Sequence, residues 1–344
     1  MYIGKNVNTL NTTRICGGNH FQNAVAISDV VYADKSPDSI IITNGEIIHD
    51  AIISTSVIHF PYNAPILFSH TDYIDINTLN QIYKLNPQGV NGIQIFLIGG
   101  ISEAIGQYLI SLGFAVKIIS GANIYETAAN VARFLDNLDN IIILSSQNYL
   151  NGLSACAWAA HMGVPILFTE KNQLPYETIN VIVNANHANV FLFGNTDDIS
   201  EQVEKELTGL NINYLERITG NDPYDVSVNF SKYKSPDGKF GWGKTNRNGH
   251  AFTFTAIENP FNSVSGALFA HLGKHSPILI IDKNRLPSVI RNYIESVKPI
   301  SQAEPQPPFM HGWIIGCEND ISFQTQIEIE KALSIDTAHM HGMS

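Results

Sequence analysis

The chain repeats itself three times, and this constrains its fold more than any other feature of its 344 residues. Four landmarks recur in one order. A glycine closes an apolar strand at Gly17, Gly121 and Gly220. A small polar residue opens an Ala/Ser-rich helix at Asp50, Asn151 and Asn262. A Pro-Ile-Leu strand start stands at Pro65, Pro165 and Pro277. A second apolar strand then ends at Gly99, Gly194 and Gly316, ahead of Ile-Ser and a helix. The first interval is 33, 30 and 42 residues, the second 15, 14 and 15, the third 34, 29 and 39. Repetition in this register divides the chain into modules at 1–118, 119–216 and 217–335, with a tail at 336–344.

Within the second module, strand patterns at Asn140–Leu144, Pro165–Phe168, Asn189–Phe193 and Ile212–Leu215 alternate with helical patterns at Leu150–Met162, Leu174–Ala185 and Ile199–Leu207. The strands are apolar throughout rather than alternating, which is the pattern of parallel strands covered on both faces. The expected fold class is therefore α/β: three tandem repeats, each a mostly parallel sheet sandwiched by helices. The third module carries two extra stretches, Ser235–His250 and Pro299–Pro308, both read as surface loops.

Composition narrows the function. Hydrophobic residues make up 44% of the chain and charged residues 15%, enough to build a large core. Asp and Glu number 31 against 20 Lys and Arg, a net charge of −11. That excess argues against nucleic acid and anionic membrane as partners, since both call for a basic footprint. No apolar run approaches the roughly 20 residues of a membrane span, so no membrane insertion is expected. The first residues carry one Lys and no apolar stretch, so no secretory signal is expected from them.

Catalytic chemistry finds little support. Cys16, Cys156 and Cys317 are too few and too scattered for a disulfide framework, and buried free thiols are expected. No histidine has zinc-ligand spacing; His161 and His271 fall at matching helix positions and read as packing, while His339 and His341 lie in the tail. Phosphate-cradling glycine motifs and nucleophile motifs are absent. The recurrent Ser102, Ser200 and Ser322 read as helix caps. An enzyme is not expected, nor a cofactor.

Two segments carry a resemblance. Ser120–Ala128 (S-G-A-N-I-Y-E-T-A) and Asn148–Leu167 (N-Y-L-N-G-L-S-A-C-A-W-A-A-H-M-G-V-P-I-L) resemble the type-2 cell-wall-binding repeats of Gram-positive bacterial surface proteins. The likeness covers roughly 14–335. It implies three modules packed as a compact pseudo-threefold particle. It implies non-catalytic binding to an anionic cell-wall polysaccharide, and a location at the cell wall or surface. The alternative is a structural or assembly protein that reuses the scaffold inside the cell or spore, without wall binding.

The charged positions of the repeat are only partly kept. An Arg three residues before the first landmark glycine stands at Arg14 and Arg217, but Ile118 takes its place in the middle. A second family Arg is replaced by His20, Ile124 and Pro223, and a family Asp survives only as Asp50, with Asn151 and Asn262 elsewhere. Asp50, Asn151 and Asn262 are expected first as helix N-caps and second as ligand contacts at the carboxyl edge of the sheet. The stretch Lys232–Arg247 is the strongest local anomaly: Lys232, Lys234, Lys239, Lys244 and Arg247 face one acid, Asp237, with Phe240 and Trp242 among glycines. Cations there would meet phosphate or carboxylate and rings would stack on sugars. The candidate ligand-binding set is Arg14, Arg217, Asp50, Asn151, Asn262, Lys239, Trp242, Lys244 and Arg247.

Overall fold

Runs of isoleucine, leucine and phenylalanine become the central strands of three separate four-stranded sheets in a computed structural model that describes residues 7–272, 275–299 and 310–335. The remainder of the Pro-rich stretch, 300–309, and the tail with His339 and His341 lie outside the described residues.

In the first sheet β2 (Ile40–Asn44) lies between β3 (Ile66–Ser69) and β4 (Ile95–Ile98), and β5 (Val116–Ile119) forms the edge. The second sheet repeats this order with β7 (Ile166–Thr169), β6 (Asn140–Ser145), β8 (Asn189–Phe193) and β9 (Tyr214–Ile218). All pairings are parallel, with Ile41 opposite both Ile66 and Phe96, and Ile142 opposite both Ile166 and Phe191. The middle strands are buried except at Asn140 and Asn189, which open β6 and β8, as strands covered on both faces must be.

The third sheet is completed from the other end of the chain. Its strands β11 (Ile278–Ile281), β10 (Ala251–Ala256) and β12 (His311–Ile315) come from the third module, but the fourth is β1 (Thr12–Ile15). Arg14 pairs with Ile314 and Ile15 with Ile315. The division of the sequence at 118 and 216 therefore falls inside the last strands of the first and second sheets, and the first strand of the 1–118 segment belongs to the third sheet. Without β1 the polar backbone groups along one side of β12 would be left unpaired.

A disulfide joins Cys16, just after β1, to Cys317, just after β12, with the Cα atoms 4.6 Å apart. This overturns the expectation of three free thiols. Two cysteines 301 residues apart look unrelated in sequence because only the closing of the third sheet makes them neighbours. Cys156 is a buried free thiol.

The Ala/Ser-rich helices meet at the pseudo-threefold axis. They are α2 (Ile48–Ser54) with a 3-10 turn at Thr55–Val57, α6 (Ala155–Met162), and α10 (Phe261–Gly266) with a 3-10 turn at Ala267–Ala270. The expected helix Leu150–Met162 splits into a 3-10 turn, Tyr149–Gly152, followed by α6. Ala155, Ala157, Ala159, Ala160, Ala267 and Ala270 are all fully buried there, and short side chains let the three backbones approach closely. Around the axis each module packs on the next. The helices α1 (His20–Val31), α5 (Ile124–Leu135) and α9 (Pro223–Lys232), each following a landmark glycine, pack against the axial segment of the module before them in the ring. His20 stacks on Phe261 at 4.6 Å and bonds the Gly45 carbonyl at 2.9 Å, sealing the third module to the first. His49 bonds the Ser146 carbonyl at 2.7 Å and seals the first to the second.

Candidate functional site

Parallel strands give the particle two unlike ends, one at the carboxyl edges of the sheets and one at the amino edges. The candidate residues divide between them.

At the carboxyl edge the chain leaves β4, β8 and β12 through Gly99, Gly194 and Gly316, with φ of 90°, 111° and 112°. A side chain there would be strained by the backbone and would also collide with a carboxylate. That carboxylate accepts the N–H of the next residue: Gly100 to Asp50 at 2.8 Å, Asn195 to Asp198 at 3.0 Å, Cys317 to Asp320 at 2.8 Å. The acid that looks lost from the second and third modules has moved into the loop after the glycine. The first module's loop from Gly99 to Ser102 is three residues shorter than its counterparts, so Asp50 reaches over from α2 instead.

Asp50, Asn151 and Asn262 are thus not helix N-caps. Asp50 is the third residue of α2, and no side chain caps that helix. Asn151 donates its amide to Asp198 at 2.6 Å, and Asn262 accepts from Asn23 at 3.0 Å. Burial raises the Asp50 pKa, opposed by the Gly100 N–H.

Arg217 closes the same turn from the other side. Its guanidinium donates to the carbonyls of Gly194 (3.1 Å), Asn195 (3.0 Å) and Ile199 (2.8 Å), and pairs with Glu204 on α8 (Glu201–Thr208) at 2.7 Å. Arg14 does this in the third sheet, donating to the Gly316 carbonyl at 2.9 Å and to Gln326 on α12 (Phe323–Leu333) at 2.8 Å. Burial lowers its pKa to about 10. In the first sheet both members change together. Ile118 lies against Gly106 of α4 (Glu103–Ser111), its Cδ1 3.1 Å from where a Cβ would stand. Gly106, Glu204 and Gln326 each follow the recurrent serine by four residues, so one structural pair has been exchanged as a unit. Arg14, Asp50 and Asn262 are 1%, 3% and 0% exposed, and no polymer can touch them. Arg217 has all three guanidinium nitrogens engaged within the protein.

At the amino edge, the stretch before β10 is no solvated loop. The Ser235 N–H donates to the Phe240 carbonyl and the Phe240 N–H to Ser235 Oγ, Asp237 accepts from Ser235 Oγ and Lys239 N, and Phe240 is fully buried against Phe191 at 3.6 Å. Trp242 stacks on His161 at 5.2 Å, stands edge-on to Trp158 at 5.0 Å, and has the Lys244 ammonium 5.6 Å from its ring centroid. Its faces are occupied, so it anchors the loop and is not a sugar platform. Lys244 donates to the His275 carbonyl at 3.0 Å, and burial lowers its pKa to about 8. Lys232 at the end of α9 and Lys234, Lys239 and Arg247 in the loop are exposed, with the Lys234 ammonium donating to the Gly241 carbonyl at 3.0 Å. The loop reaches the axis at a histidine cluster: His161 lies 4.8 Å from His275 and His271 lies 5.2 Å from His59. Desolvation, and then the neighbouring histidines, bring His161 and His271 down to about 4.

Directly after the strands at the carboxyl edge stand Glu46, Asp72, Glu170, Glu258 and Asp282 against Lys171 and Lys283. Among the described residues no three His, Cys, Asp or Glu side chains are placed to hold a metal ion. Burial raises the Cys156 thiol to about 12, far from the thiolate a nucleophile would need.

The three-sheet ring has counterparts among known proteins. Residues 118–204 match the family model of cell wall binding domain 2. The middle module belongs to that family. The first and third modules share its landmarks and strand order. The chain is 29% identical over 219 residues to N-acetylmuramoyl-L-alanine amidase LytC of Bacillus subtilis, covering 63% of this chain and 42% of the relative. It is 30% identical over 225 residues to the amidase enhancer of the same organism, covering 64% and 29%. The chain thus spans less than half the length of these curated relatives. Two solved structures share the fold: Cwp8 from Clostridium difficile, with TM-score 0.75 and 21% identity over 94% of this chain and 52% of that one, and Cwp6, with TM-score 0.77 and 21% identity over 96% and 50%. The described residues thus hold three sheets in the fold of these two structures.

Proposed function

We propose that this protein attaches to an anionic bacterial cell-wall glycopolymer without cleaving it, and that the amino-edge end of the particle makes the contact. The observation that carries this reading is the anchored loop before β10. It presents Lys239 and Arg247, close in sequence to Lys232 and Lys234, with Asp237 the one acid among them, in a chain of net charge −11. Phosphate or carboxylate groups along a polymer would pair with such cations, and the opposite, acidic end would repel them. The family match of the middle module supports wall attachment, and the relatives named for amidase activity or its enhancement are matched over only part of their length.

The test is co-sedimentation of the protein with bacterial cell walls before and after hydrofluoric acid strips the secondary polymers. Binding lost on stripping and weakened by salt is the expected result. Lys239→Glu with Arg247→Glu should reduce it several-fold, whereas substitution of Arg217 should act only through stability. Failure to bind any wall preparation would overturn the reading in favour of an assembly role.

A further inference from the structure

Where the anchored loop meets the amino edge of the second sheet there is a pocket of about 220 Å³. One wall is the opening of β8 and β9, where Asn189 lies opposite Tyr214 in the ladder and Asn213 stands just before it. The other wall is the loop itself, at Pro236 and Asp237. None of these five residues is buried, so a molecule from solvent can reach each of them. Phe191 and Ser235 are buried and close the floor. The amides form a row across the strands: Asn213 Nδ2 donates to Asn189 Oδ1 at 2.8 Å, and Asn189 Nδ2 donates to Asn140 Oδ1 at 3.0 Å. A side-chain amide carries two N–H donors, so Asn189 and Asn213 each keep one for a ligand. Asp237 Oδ1 accepts from Ser235 Oγ at 2.5 Å and from the Lys239 N–H at 3.0 Å, which leaves Oδ2 to accept, as Asn213 Oδ1 can.

An occupant must therefore accept from two amide N–H groups and donate to a carboxylate and an amide oxygen. An ammonium only donates and a phosphodiester only accepts, so neither satisfies both sets. Charge selects in the same way. Glu216, hydrogen-bonded to the Tyr214 phenol, and Asp237 both bear on Tyr214 by charge and disfavour an anion there, while Lys239 stands against Asp237 and disfavours a cation. Hydroxyls donate and accept without charge, and the Tyr214 ring and Pro236 offer apolar surface to the C–H groups that carry them. We infer that this pocket is a subsite for one uncharged sugar ring, with Asn189, Asn213 and Asp237 as its hydroxyl partners. A hydroxyl given to a carboxylate makes the stronger, charge-assisted bond, which makes Asp237 the principal partner. This rests on the proposed wall attachment and deepens it. Lys239 adjoins Asp237, so the loop would hold the anionic groups of a polymer beside an uncharged ring of the same polymer in the pocket.

The experiment is an NMR titration of the full isotope-labelled chain with glucose and with N-acetylglucosamine, following the side-chain amide resonances of Asn189 and Asn213. Ethanolamine and glycerol phosphate serve as the cationic and anionic probes. A saturable shift with at least one neutral sugar, at roughly millimolar Kd, is expected, with much weaker responses to the two charged probes. Affinity should fall several-fold in Asn213→Ala, read at Asn189, and in the isosteric Asp237→Asn; both side chains are exposed, so the fold survives either change. No saturable shift with either sugar, a tighter response to a charged probe, or sugar affinity unchanged in both variants would overturn the assignment. The two readings fail separately. A silent titration with salt-sensitive wall binding intact removes the pocket alone, and a saturable titration without wall binding removes the wall reading alone.

Discussion

At the scale of single residues, charges that a repeat comparison marks as missing prove to have moved. The N–H after each strand-ending glycine must find an acceptor, and a carboxylate supplies it from α2 in the first module and from the loop in the others. Asp198→Ala should destabilise the protein by about 1–3 kcal/mol, because it strands the Asn195 N–H and the amides of Asn148 and Asn151. Urea unfolding checks this. Arg217→Ile alone should cost about 1–3 kcal/mol, since it leaves the partly buried Glu204 and three carbonyls without their partner. Adding Glu204→Gly recreates the Ile118–Gly106 arrangement of the first module, and the double variant should recover part of that loss. A double-mutant cycle in urea measures the coupling; strict additivity would contradict an exchanged pair.

At the scale of elements, the anchored loop and the axial histidines depend on one another. Phe240 and Trp242 pin the loop to Phe191 and His161, and Phe240→Ala should cost about 3–5 kcal/mol by opening a cavity in the core. The histidines set a pH response. His161 and His271 are lowered to about 4 in the folded protein from 6.5 when free, and the groups acting on them by charge are His59 and His275 for both, His271 for His161 and Lys35 for His271, all basic. Below pH 6.5 the unfolded chain takes up protons that the folded one refuses. Their contribution is thus fully present above pH 6.5 and is lost as pH falls toward 4. Discounting for partial exposure, the loss is on the order of 1 kcal/mol per histidine. Thermal melts at pH 7 and pH 5 should show a fall in Tm that is smaller in His161→Gln.

At the scale of the whole molecule, the ring closes through β1 on β12 and the Cys16–Cys317 bond. Removing that bond by Cys16→Ser with Cys317→Ser should lower stability by about 2–5 kcal/mol, because the closed loop spans nearly the whole chain. Limited proteolysis should then release the amino-terminal strand first, with the first and second sheets still protected. Such a bond persists in an oxidising compartment, in keeping with a place outside the cytoplasm.

Sequence alone determined the repeat, the α/β class, the strands around each Pro-Ile-Leu start and the basic character of Lys232–Arg247, because periodicity and local composition are written along the chain. Local signals also misled. Asp50, Asn151 and Asn262 look like caps because a small polar residue before a helix usually is one, and Phe240 and Trp242 look exposed because glycines and lysines surround them. Tertiary structure alone decided that β1 serves the third sheet, that Cys16 meets Cys317, that Arg14 and Arg217 are spent on backbone carbonyls, and that Asn189 and Asn213 share one pocket with Asp237. Each of these joins residues far apart in the chain, and their contacts exist only once three sheets have closed around one axis.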